Sequence, residues 1–77
     1  PDADLESRTA EIVRRLAGVA PVAVAEIKSL VRQSLGNTLA QQFEAEMNSL
    51  ATCAATEDFP EAINAFVEKR RPVFRGR

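Results

Sequence analysis

The stretch EDFPEAINAFVEKRRPVFRG, residues 57–76, begins with the signals of a new helix start and contains a second proline, Pro72, near its end. Asp58 can cap a helix, Pro60 suits a first helical turn, and Glu61 places a negative charge at the positive end of the helix dipole. The residue before a proline avoids helical geometry, so this helix is predicted to stop before Pro72. At helical spacing, its inward face consists of Ile63, Phe66 and Val67.

The first helix of the chain is predicted over residues 5–17. Asp2 or Asp4 can cap its start, and Gly18 suits its end. At roughly 100° per residue its apolar residues share one face, and arginine and glutamate residues occupy the other. The apolar face consists of Leu5, Ile12, Val13 and Leu16.

Two more helices are predicted between these ends. One starts at Pro21 and runs to about Leu35, and the next starts near Asn37 or Thr38, either of which can cap it, and ends by about Ala55. Their inward stripes are predicted to be Ala23, Val24, Ile27, Leu30, Val31 and Leu35, and then Leu39, Phe43, Met47, Leu50 and Ala54. No sustained alternation predicts a strand, so the fold class is all-α, with about four amphipathic helices.

Composition limits what this chain can be. Seventy-seven residues make one domain at most, and a chain this short is marginal without a partner. Cys53 is the only cysteine, which predicts a reducing, cytoplasmic location, and ten basic against eleven acidic residues disfavour a generic nucleic-acid binder. No apolar run is long enough for a membrane span. The chain begins at Pro1 without an initiator methionine, so we expect it to be part of a longer polypeptide.

The chain offers no set of catalytic or metal-binding side chains. It has no histidine, so neither a Ser/His nor a Cys/His nucleophile can be built. Glu44 and Glu46 are two residues apart and point to different sides of a helix, which disfavours an acid/base pair. Cys53 lies in an alanine-rich stretch and is interpreted as a small packed side chain. We therefore predict no catalytic residue and no metal ligand.

Two ionisable residues fall inside the predicted apolar faces. On helical wheels, Glu46 lies between Leu39 and Cys53, and Arg70 lies on the inward face of the last helix. A lone buried charge is costly, so the simplest prediction is a structural ion pair between Glu46 and Arg70. Two alternatives remain open. Each residue can pair with a group on a partner, or Arg70 can extend to water at a helix end.

The ending of the chain closely resembles that of the enoyl-CoA hydratase/isomerase (crotonase) family, which follows the pattern D..EG..AF.EKR.P.F.G. The match runs from Asp58 to Gly76, with Ala62 where the family usually has glycine. Alanine is the better helix former, so this departure removes no function. Residues 17–28 (A..AP.A....K) and 39–46 also look like the preceding helices of that family. The resemblance covers nearly the whole chain.

The resemblance implies that residues 1–77 are the C-terminal helical segment of a crotonase-fold subunit, which covers the active site and forms contacts in a homo-oligomer, a trimer or a dimer of trimers. The N-terminal catalytic spiral domain, with its oxyanion hole and, in hydratases, two glutamates, is absent from this sequence. The full-length protein is then expected to be an acyl-CoA enzyme, most specifically an enoyl-CoA hydratase or isomerase. No cofactor is expected, because coenzyme A is part of the substrate.

In related hydratases, an aromatic residue and a lysine of the AF.EK motif contact the adenosine-phosphate end of CoA. These positions correspond to Phe66 and Lys69 here. Residues three apart on a helix are neighbours, so both can face one ligand. The alternative is that Phe66 belongs to the core and Lys69 is a solvated surface residue.

A second hypothesis comes from another class of protein. Four amphipathic helices without catalytic groups could form a non-enzymatic protein-interaction module. The terminal basic cluster would then contact a partner or an anionic surface. This cluster consists of Lys69, Arg70, Arg71, Arg75 and Arg77.

Overall fold

The computed structural model describes residues 2–77 and contains four α-helices. They are α1 (Leu5–Ala17), α2 (Pro21–Ser34), α3 (Leu39–Ala54) and α4 (Asp58–Glu68), and a short 3-10 helix, Asp2–Asp4, precedes α1. Residues 69–77 form a tail without regular secondary structure, and no strand occurs between residues 2 and 77. The all-α prediction is confirmed.

Local chemistry sets most of the helix ends. The N–H of Gly18 donates to the carbonyl oxygens of Arg14 and Arg15, each at 3.2 Å, and closes α1. Asp4 occupies the N-cap position of α1, but its side chain accepts no capping hydrogen bond. Thr38 forms a reciprocal capping box with Gln41: the threonine hydroxyl accepts from the Gln41 N–H at 3.2 Å, and the Thr38 N–H donates to the glutamine side chain at 2.9 Å.

Helices α2 and α3 pack as an antiparallel hairpin held by polar contacts. The hydroxyl of Ser49, which is buried, donates to the Glu26 carboxylate at 2.7 Å. Near the turn, the side-chain amide of Gln42 donates to the Leu30 carbonyl at 3.2 Å. Helix α4 packs against α3, whereas α1 lies within contact distance of none of the other three helices.

Within residues 2–77 the helices enclose almost no apolar core. Ala65 is the one buried apolar residue of the described part, and the chain exposes 6497 Å² of surface. A folded monomer of this mass exposes roughly 4,600 Å². The radius of gyration is 16.0 Å, against about 11–12 Å for a compact domain of this length.

The predicted inward faces are therefore mostly exposed, which corrects the sequence interpretation. Leu35 is 94% exposed and Phe66 85% exposed, although Ala23, Val24 and Leu30 are half-buried between α2 and its neighbours. Helical periodicity identified the apolar faces, but nothing in residues 2–77 covers them. The exposed residues of those faces are Leu5, Ile12, Val13, Leu16, Ile27, Val31, Leu35, Leu39, Phe43, Met47, Leu50, Ala54, Ile63, Phe66 and Val67.

Candidate functional site

The end of α4 has a Schellman geometry with Lys69 in the left-handed conformation. The N–H of Lys69 donates to the Phe66 carbonyl at 3.2 Å, and the N–H of Arg70 donates to the Ala65 carbonyl at 3.0 Å. Lys69 has φ 56° and ψ 40°, and it is the one residue other than glycine with positive φ in residues 2–77. Glycine normally occupies this position because a Cβ is disfavoured there.

Arg70 leaves the helix and binds back to its start. Its guanidinium donates two parallel hydrogen bonds to the Glu61 carboxylate, each 2.8 Å long, and its Nε donates to Glu68 at 2.6 Å. Glu61 also accepts the backbone N–H of Val73 at 2.7 Å. The Arg70 hydrogen bonds, followed by that of Val73, lower the pKa of Glu61 to about 2, so its carboxylate keeps its charge at acidic pH values where an ordinary glutamate is protonated. The hydrogen bonds to Glu61 and then to Glu68 raise the pKa of Arg70 further above its ordinary value.

The predicted structural ion pair between Glu46 and Arg70 is wrong, because Arg70 pairs with Glu61 and Glu68 instead. Glu46 is exposed on α3, beside Ile27 and Val31, and no ion pair within residues 2–77 joins it to Arg70. The helical wheel placed Arg70 on the inward face of α4. Because α4 ends at Glu68 and Lys69 turns left-handed, Arg70 no longer follows the helical period.

Asp58 fastens the far end of the tail to the start of α4. Its two carboxylate oxygens accept the backbone N–H groups of Arg75 at 2.7 Å and Gly76 at 2.9 Å, and its own N–H donates to the Arg77 carbonyl at 2.9 Å. The residue is only 4% exposed. Arg77 adds an exposed ion pair with Glu57 at 2.8 Å.

The tail also packs against α2. Phe74 is half-buried and lines an apolar crevice of about 270 Å³ together with Val22, Cys53 and Phe59. Gly76 has φ 78°, and a Cβ at this position would lie 3.4 Å from the Pro21 side chain. The left-handed conformation therefore favours glycine at this position, whereas the distance to Pro21 alone would leave room for a Cβ.

The structure presents both residues of the predicted CoA contact to solvent. Phe66 is 85% exposed, so it is not a core residue of residues 2–77. Lys69 is exposed as well, and no carboxylate in the described part of the chain pairs with its ammonium group. An aromatic face and a free cation at one helix end can together contact a base and its phosphates.

Cys53 is partly buried against the apolar crevice, in keeping with a packing role. Over residues 2–77, no three histidine, cysteine or acidic side chains converge to hold a metal ion. Across the same range, no helix combines the length and the apolar character needed to cross a membrane.

Sequence reasoning assigned Asp58 and Glu61 only to the capping and charge of α4, and it missed their contacts with the tail. Their i,i+3 spacing places both carboxylates on one helix face. The backbone N–H groups that they accept belong to residues 12 to 18 positions later in the chain. The i,i+3 spacing of the two carboxylates was the available signal, but it does not show where the irregular tail turns back to meet them.

Comparisons with known proteins agree with this geometry. The chain is 36% identical over 67 residues to 2,3-dehydroadipyl-CoA hydratase of Escherichia coli, which covers 87% of this chain and 26% of that protein. It is 34% identical over 77 residues to a probable enoyl-CoA hydratase of Rhodobacter capsulatus, covering 100% of this chain and 30% of the relative. The crystal structure of an enoyl-CoA hydratase from a Polaromonas species aligns with a TM-score of 0.85 at 33% identity, over 94% of this chain and 28% of that one.

The chain thus spans less than a third of the length of these relatives. A family model described as enoyl-CoA hydratase/isomerase matches residues 1–77. Because that match extends over every residue, the chain belongs to the enoyl-CoA hydratase/isomerase family.

Proposed function

We propose that residues 1–77 are the C-terminal helical segment of an enoyl-CoA hydratase or enoyl-CoA isomerase. In the hydratase reaction, water adds across the double bond of a 2-enoyl-CoA and gives a 3-hydroxyacyl-CoA. The segment supplies part of the CoA site and subunit contacts, and the catalytic groups come from the N-terminal spiral domain of the full-length protein. The relatives named as hydratases support this reaction class.

One observation supports the proposed CoA contact: the end of α4 carries an exposed aromatic residue, Phe66, and a cation, Lys69, that forms no ion pair within residues 2–77. Phe66 is 85% exposed, and leaving a large aromatic side chain in water forfeits the stabilisation that its burial would give. Lys69 occupies a left-handed position where glycine would be less strained. A nucleotide bound here would cover the Phe66 ring and pair with the Lys69 ammonium group.

We propose that homo-oligomer contacts, a trimer or a dimer of trimers, and the N-terminal domain cover the exposed apolar faces apart from Phe66. The large exposed surface of residues 2–77 and the loose placement of α1 support this assignment, because isolated monomers rarely expose contiguous apolar patches of this kind. We propose no cofactor beyond the CoA carried by the substrate. A cytoplasmic location remains a prediction from the single cysteine.

The Lys69→Ala substitution in the full-length enzyme is expected to raise KM for an acyl-CoA by about three- to five-fold, with a much smaller change in kcat. An exposed ammonium–phosphate contact contributes only a modest, uniform binding energy, and its loss raises KM. Steady-state kinetics with acyl-CoA and with a pantetheine-truncated thioester measure this. The truncated substrate lacks the adenosine phosphates, so its KM should not respond.

Lys28→Ala is the matched control, because Lys28 is the other lysine of the chain and is exposed on α2. It should leave both kinetic constants unchanged. Unaltered KM for acyl-CoA in the Lys69→Ala enzyme would show that Lys69 is only a solvated surface residue.

A further inference from the structure

We infer that Glu61 is a positioning residue for CoA binding: it holds the residues that follow Lys69 and so keeps the lysine turned toward the ligand. This inference rests on the proposed contact between Lys69 and CoA. Nothing in the helical pattern of α4 assigns such a role to a residue two turns upstream.

Three donors from the tail converge on the Glu61 carboxylate. Arg70 supplies two hydrogen bonds of 2.8 Å in the parallel geometry that a guanidinium makes with a carboxylate, and the N–H of Val73 supplies a third at 2.7 Å. The Glu61 side chain is only 25% exposed, compared with 72% for Glu57 in the neighbouring pair with Arg77. Glu68, which also pairs with Arg70, is 59% exposed, so Glu61 is the best shielded of the three carboxylates that pair with tail arginines.

Lys69 lies between two anchors. On its N-terminal side, the backbone bonds from Lys69 to Phe66 and from Arg70 to Ala65 close α4. On its C-terminal side, Glu61 holds Arg70 and Val73. A residue other than glycine keeps a left-handed conformation only where its surroundings over-determine it. Without the second anchor, the backbone at Lys69 can relax to a less strained conformation and carry the ammonium group away.

This geometry predicts an effect on binding rather than on chemistry. A lysine already turned toward the phosphates loses less conformational freedom when CoA binds, so affinity gains from preorganisation. Glu61 touches neither the substrate nor the reacting atoms in this scheme. Its removal should act only through Lys69.

The test is steady-state kinetics of the full-length Glu61→Gln enzyme, with and without Lys69→Ala. Glutamine keeps the shape of the side chain but loses the charge that binds Arg70. We expect KM for acyl-CoA to rise about two- to five-fold, with a much smaller change in kcat. The rise is limited by the modest binding energy of the exposed contact between Lys69 and a CoA phosphate. KM for the pantetheine-truncated thioester should not change. In the Lys69→Ala background, Glu61→Gln should have no further effect.

Two further variants guard against a general loss of structure. Glu57→Gln removes the ion pair with Arg77 at the same end of α4 and should leave KM unchanged. Arg70→Lys keeps the charge but not the two-pronged geometry, and it should raise KM by less than Glu61→Gln does.

The outcomes separate this inference from the proposed function. If Lys69→Ala raises KM but Glu61→Gln does not, the positioning role is overturned and the CoA contact stands. The role is also overturned if Glu61→Gln weakens the truncated substrate equally, or if its effect persists in full without Lys69. Unchanged KM in Lys69→Ala overturns the CoA contact itself.

Discussion

The Asp58→Ala substitution in the full-length protein is expected to release the C-terminal tail from α4. The side chain is 4% exposed and accepts two backbone N–H groups, from Arg75 and Gly76. Removing it leaves both donors without their partner, which costs about 2–3 kcal/mol in the local opening free energy. Amide exchange at these residues should then accelerate by roughly 30- to 150-fold. Hydrogen exchange of the C-terminal peptide measures this.

Asp4→Ala is the matched control for this experiment. Asp4 is exposed at the start of α1 and makes no side-chain capping hydrogen bond, so its removal should leave exchange in the tail unchanged. Equal exchange of Arg75 and Gly76 in the Asp58→Ala and unmodified proteins would contradict the tail attachment described above.

The isolated 77-residue chain is expected to self-associate instead of remaining a stable monomer. It exposes 6497 Å² of surface with one buried apolar residue among residues 2–77, so too little core offsets the entropy of folding. Phe43, Met47 and Leu50 form an exposed apolar stripe on α3, at 58%, 72% and 65% exposure. Sedimentation velocity should show species larger than 8.4 kDa that grow with concentration.

A polar substitution in that stripe tests the cause of association. Phe43→Gln should shift the distribution toward monomer, whereas Asn48→Gln, on the same helix but at a polar position, should not. A stable monomer at high concentration with a cooperative thermal transition would show that the apolar faces need no covering.

The helix boundaries could be predicted because their signals are local. The capping threonine Thr38, the proline Pro21 and the closing glycine Gly18 each act within one helical turn, and all three lie where the sequence placed them. The end of α4 was less accurate, because the helix stops at Glu68 rather than just before Pro72. The left-handed position at the end of α4 is occupied by Lys69 and not by glycine, so no residue type in the sequence marked where the helix stops.

Long-range contacts could not be predicted in the same way. Helical periodicity identifies an apolar face but not what covers it, so residues such as Leu35 and Phe66 were assigned to a core that residues 2–77 do not form. The predicted ion pair between Glu46 and Arg70 was wrong for a related reason. Arg70 was treated as helical, and its true partner, Glu61, depends on the path of the tail beyond the helix.

The CoA contact came from the family resemblance alone. Neither composition nor spacing distinguishes Lys69 from the other cations of the basic C-terminus. The structure adds that Lys69 and Phe66 are both exposed at the end of α4. Their role in binding CoA stays a prediction until the kinetics are measured.

The most direct test of the central claim compares the turnover of a short 2-enoyl-CoA by the full-length protein and by residues 1–77 alone. Hydration or isomerisation requires an oxyanion hole and acid/base groups, which we expect the N-terminal domain of the full-length protein to supply. We expect the full-length protein to convert the substrate and the 77-residue segment to show no turnover above the uncatalysed rate. Turnover by the segment alone, or none by the full-length protein with any enoyl-CoA, would contradict the account.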